Sequence, residues 1–75
     1  SGALDSKFRI RRTVNGAESV FDKDGDWSDT AAEQDGISPV PTSQGCRMAI
    51  SEEVLVLPYE TQSVVSSHGT FWFEE

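Results

Sequence analysis

Phe8-Arg9-Ile10-Arg11-Arg12-Thr13-Val14-Asn15-Gly16-Ala17-Glu18-Ser19-Val20-Phe21 is the stretch that decides the fold class. Asn-Gly between two alternating runs is a strong hairpin signature, because both turn positions require a positive φ. A two-residue loop then fixes the register. Val14 faces Ala17, Ile10 faces Phe21, Arg9 faces Asp22 and Lys7 faces Asp24. Apolar meets apolar and cation meets anion, which is how cross-strand pairs stabilise a sheet. Arg12 breaks the pattern, since it falls on the apolar face opposite Ser19. It either lies at a sheet edge or reaches a carboxylate elsewhere.

A second hairpin is expected near the C-terminal end of the sequence, where Gln62–Ser67 runs into His68-Gly69 and returns as Thr70–Glu74. A turn at His68-Gly69 pairs Val64 with Phe73, Val65 with Trp72 and Ser66 with Phe71. Val64, Phe71 and Phe73 then share a core face, with Val65 and Trp72 on the other. An aromatic cluster so near the end implies a tied-down strand.

Between the hairpins, Arg47–Ile50 and Val54–Leu57 read as two strands joined around Ser51-Glu52-Glu53. Val54–Leu57 is apolar on both faces, which predicts a central, doubly covered strand ended by Pro58. Residues 28–45 hold Asp35-Gly36, Pro39, Pro41 and Gly45 and show no apolar period. They read as a long connection with one helical turn at Thr30–Glu33, which has capping-box spacing. The expected fold is mainly β: a small antiparallel sheet or compact barrel of five to six strands, one long acidic loop and at most one short helix.

The chain has 75 residues, so it holds one domain at most. Residues 4–75 read as a single small β domain, and Ser1-Gly2-Ala3 as an added or processed end. Leu, Ile, Val and Phe make 17 of the 75 residues, enough for a lean core. One cysteine allows no internal disulfide and is too few for a cysteine-based zinc site. The longest apolar run, Val54–Leu57, is far too short to span a bilayer, and no basic-plus-apolar leader is present. With neither a signal nor a transmembrane segment read in the sequence, the compartment stays open, with a cytoplasmic setting favoured over others.

The formal net charge is −7, unevenly spread. Residues 1–20 carry +2, residues 22–36 carry −5, and residues 37–75 carry −4. A basic first strand therefore meets an acidic middle. Lys7, Arg9 and Arg11 share one strand face, but phosphate binding needs a net attractive field. Direct contact with nucleic acid or a membrane is not expected.

Asp22–Glu33 resembles an EF-hand calcium loop over twelve residues, with carboxylates at Asp22, Asp24 and Asp26 and a Glu at the twelfth position. Trp27 stands where the sharp turn wants Gly, and Asp29 where an aliphatic residue belongs. The flanks read as strand and loop where an EF-hand has helices. The plainer reading is a solvated acidic turn balancing Arg9 and Lys7. No cofactor is expected. The alternative is a weak Ca²⁺ site built from Asp22, Asp24, Asp26, Asp29 and Glu33.

Cys46 and His68 are the nucleophile-type residues, with Arg47 beside Cys46 to lower its thiol pKa. No acid–base–nucleophile set is legible, and a chain this small leaves little room for a supported catalytic pocket. The expected class is a non-catalytic protein-interaction domain or accessory subunit. Its contact surface is expected to be aromatic-centred, with Trp72, Trp27, Tyr59 and Arg11 as partner-binding residues, since Trp, Tyr and Arg dominate interface energetics. The partner is expected to be another protein, basic rather than acidic. A further alternative is an acidic inhibitor that occupies a partner's basic, nucleic-acid-binding groove.

Overall fold

The structure is a computed structural model that describes residues 9–22 and 24–74. Strands β1 (Ile10–Val14) and β2 (Ala17–Phe21) form the first hairpin, with Ile10 opposite Phe21, Arg12 opposite Ser19 and Val14 opposite Ala17. Asn15 at φ 51° and Gly16 at φ 82° make the turn, as the dipeptide demands. Phe8 and the Lys7–Asp24 pairing lie outside the described residues. Arg9 does not turn to Asp22. It meets Glu74 at 3.6 Å, because β7 lies on the other side of β1.

After β2 come a short helix α1 (Thr30–Gln34) and strands β3 (Ser38–Thr42), β4 (Gly45–Ile50), β5 (Glu53–Pro58), β6 (Val64–Ser66) and β7 (Gly69–Phe73). The fold is mainly β, with 55% strand and 8% helix, in two antiparallel sheets that do not close into a barrel. One sheet runs β2-β1-β7-β6 and the other β3-β4-β5. All six expected strands form. The seventh, β3, was hidden by Pro39 and Pro41, which fit because β3 is an edge strand.

Helix α1 is one turn long. Its cap is Asp29 rather than Thr30: the Asp29 carboxylate accepts the Ala31 N–H at 2.8 Å. Ala32 is its buried residue.

Two further expectations are corrected. Strand β5 is an edge strand, not a central one, and Val54 and Val56 are 57% and 56% exposed. Its run of apolar residues therefore covers only one face. The second hairpin turns at Ser67-His68, so Val64 pairs with Phe71 and Ser66 with Gly69. Ser66 sets this turn: its Oγ accepts the His68 N–H at 3.0 Å and donates to the Gly69 carbonyl at 3.2 Å. Gly69 serves packing instead, since a Cβ there would sit 2.8 Å from the Thr13 carbonyl oxygen. The slip is two residues, and side chains alternate with period two. Val64, Phe71 and Phe73 thus keep one common face.

The core lies between the sheets. Ile10, Phe21 and Phe71 meet Cys46, Met48, Ile50 and Leu57, closed at one side by Trp27, Ala32 and Ile37. Arg12 is buried among them. Its Nη2 reaches Asp35 at 2.6 Å and its Nε donates to the His68 carbonyl at 2.9 Å. This one side chain ties β1 to the end of α1 and to the β6–β7 turn.

Candidate functional site

Arg11 and Trp72 are cross-strand neighbours on the outer face of the four-stranded sheet. Pairing β1 with β7 puts the Arg11 guanidinium over the Trp72 ring, 6.0 Å from its centroid. Arg11 also forms an ion pair with Glu74 and lies 3.7 Å from Glu18. Between two carboxylates and an indole, its charge is already locally balanced.

Tyr59 follows Pro58 and is held from two directions. Its N–H donates to the Gln44 carbonyl at 3.2 Å, and its hydroxyl donates to the Thr42 carbonyl at 3.3 Å. Its ring stacks on Phe73 with centroids 4.9 Å apart. The side chain still leaves half its surface in solvent.

These residues surround one groove of about 590 Å³, between the end of β7 and the β5–β6 connection. Arg11, Tyr59, Trp72 and Phe73 line it together with Glu60 and Glu74. A second depression of about 360 Å³, lined by Ser43, Gln44 and Pro58, lies across Tyr59 and Glu60. The two depressions share Tyr59 and Glu60 as a common wall. Among the residues lining the groove, carboxylates outnumber cations two to one.

Three of the four residues singled out for partner binding therefore meet at one place. The fourth does not. Trp27 is 9% exposed and belongs to the core. It packs edge-on against Phe21 at 5.2 Å, and its indole N–H donates to the Ile37 carbonyl at 2.8 Å. An indole whose N–H is satisfied internally is core filler. Phe73, Glu60 and Glu74 join the groove although sequence reasoning did not select them. Alternation assigns Phe73 to the core face, so its place in the groove comes from the Tyr59 stack at the end of β7, which no local pattern signals.

The acidic stretch is spent on local structure. Asp22 Oδ1 accepts the N–H groups of Asp24 at 2.9 Å and Asp26 at 3.3 Å, a turn-forming role. Asp29 caps α1, and Glu33 lies within that helix. Among the described residues, no three His, Cys, Asp or Glu side chains group in a way that could hold a metal ion.

Cys46 and His68 are not brought together. Cys46 is fully buried on the inner face of β4, opposite Leu57. Burial pushes its thiol up to about 11, partly offset by a hydrogen bond from the Val40 backbone. The expected lowering by Arg47 does not occur, because Arg47 points to the opposite, exposed face of the strand. His68 stands in the β6–β7 turn with Nε2 2.9 Å from Glu53 Oε1.

No family profile, curated protein or solved structure matches the chain.

Proposed function

We propose that this chain is a non-catalytic protein-interaction domain that takes a basic segment of a partner into the Tyr59–Trp72 groove. One observation carries the reading: Tyr59, Trp72 and Phe73 converge on a single groove whose rim bears Glu60 and Glu74. Aromatic rings supply large contact area at low entropic cost, and the carboxylates select for cations. The overall charge of −7 favours encounter with a basic partner. Tyr59 is pre-positioned by its two hydrogen bonds, so little conformational freedom is lost on binding.

The test is affinity capture with the whole chain, repeated with Tyr59→Ala, Trp72→Ala and Glu60→Lys. Retention of a basic protein by the wild type, lost from all three variants and weakened by salt, is the expected result. A wild type that retains nothing specific, or variants that retain the same partner, would overturn it.

A further inference from the structure

We infer that the outer edge of β5 is a second docking site, one that accepts an extended apolar segment bearing an acidic side chain as an added strand. The four sheet edges are not alike. The edge of β2 is covered, because Ser28 exchanges bonds with Val20: Val20 N–H to Ser28 Oγ at 2.9 Å, and Ser28 N–H to the Val20 carbonyl at 2.9 Å. The edge of β3 carries Pro39 and Pro41, which have no N–H to give. The edge of β6 is only three residues long. The edge of β5 is six residues long, Glu53-Val54-Leu55-Val56-Leu57-Pro58, with its charge and its proline confined to the two ends. Among the described residues, no strand pairs with it. Proteins ordinarily blunt such edges with charge, proline, a bulge or a cover. Three edges here are short or blocked, and the longest is left open.

The exposed sheet face beside that edge states the chemistry of the occupant. Register places Arg47 directly between Val40 on β3 and Val56 on β5, with Ala49 and Val54 next along the same face. The three valines are each more than half exposed. Arg9, Arg11 and Arg12 each meet a carboxylate. Arg47 meets none among the described residues, in a chain where acids outnumber bases 13 to 6. A strand added to β5 would lie about 10 Å from the β4 backbone, two strand spacings away. No single side chain crosses that distance, but Arg47 and a carboxylate side chain of the added strand, extended towards each other over Val56, close it. Main-chain bonds to β5 supply affinity, valine contacts select aliphatic side chains, and Arg47 selects a carboxylate. This site runs along β5, whereas the aromatic groove starts beyond the end of that strand at Tyr59, and its charge preference is opposite.

The test is selection of a random linear peptide library on the immobilised chain, followed by solution titration of the enriched peptides. Enriched peptides are expected to alternate aliphatic and polar residues and to carry one Asp or Glu. Affinity should fall about tenfold in Arg47→Glu, and a peptide with that acid changed to Lys should recover it on the same variant. Val56→Lys should also abolish binding, while Val65→Lys, on the exposed face of β6, leaves it intact. All three side chains lie on exposed faces, and circular dichroism of each variant checks that its fold is kept. Peptides without acidic preference, binding indifferent to Arg47→Glu, or no enrichment would each overturn the inference. So would sedimentation showing that β5 is taken up by a second copy of this chain.

Discussion

Arg12 Nη2 lies 2.6 Å from Asp35 Oδ2, and the two side chains differ sharply in exposure, 5% against 50%. The pair is therefore asymmetric. Removing Asp35 strands a cation in the core, whereas removing Arg12 leaves a carboxylate that water can solvate. Asp35→Ala is expected to cost about 3 kcal/mol, the low end for breaking a buried pair, because Asp35 is half exposed. Arg12→Met, which fills the space and carries no charge, should cost less than half as much. Urea denaturation of both variants checks the order. A larger loss for Arg12→Met would mean that its bond to the His68 carbonyl matters more than the buried charge.

The two tryptophans should separate cleanly by fluorescence. Trp27 is enclosed and hydrogen-bonded to Ile37, while Trp72 borders the groove beneath Arg11. Trp72→Phe should leave blue-shifted emission that iodide barely quenches. Trp27→Phe should leave red-shifted, quenchable emission and lower stability by about 1–2 kcal/mol, since the Ile37 carbonyl loses its donor. Equal quenching of both variants would contradict the core assignment of Trp27.

Cys46 predicts an alkaline slope. Burial raises its thiol from 9.0 to about 11, so the unfolded chain loses this proton first as pH rises. Between pH 9 and 11 the unfolded state binds fewer protons than the folded one, and stability falls through that window. Below it the contribution is flat. Cys46→Ala should start less stable but lose the slope relative to wild type, read from denaturation midpoints across the alkaline range. Alkylation of the native thiol should be slow and limited by opening of the fold.

The first hairpin was legible because its information is local: Asn15-Gly16 dictates the turn, and alternation dictates the faces. Where long-range contact decides, sequence reasoning slipped. Gly69 looked like a turn residue, yet its small size is needed beside Thr13, some fifty residues earlier in the chain. Val54–Leu57 was correctly a strand, but strand order is not a local property, and β5 fell at an edge. Strand β3 was masked by prolines that only an edge tolerates. The groove was legible in residue type but not in membership. Trp72, Tyr59 and Arg11 are brought together by the β1–β7 pairing and the Tyr59–Phe73 stack, whereas Trp27 is withdrawn by a carbonyl ten residues away.

Gly45 links the fold to the groove. It pairs with Pro58 across β4 and β5, and a Cβ there would collide with the Leu57 carbonyl oxygen and lie 2.8 Å from Pro58 Cα. Both are backbone atoms, so relief requires the two strands to separate. The same point carries the Tyr59 N–H bond to the Gln44 carbonyl, so separation also unseats Tyr59 from Phe73. Gly45→Ala is expected to cost about 3 kcal/mol or more and to weaken binding in the groove. Gly36→Ala is the comparison, with φ at 70° but open space around it; only backbone strain of about 1 kcal/mol should appear there. Thermal unfolding of the two variants gives the order directly. Equal losses would show that strand approach at Gly45 is not what holds Tyr59 in place.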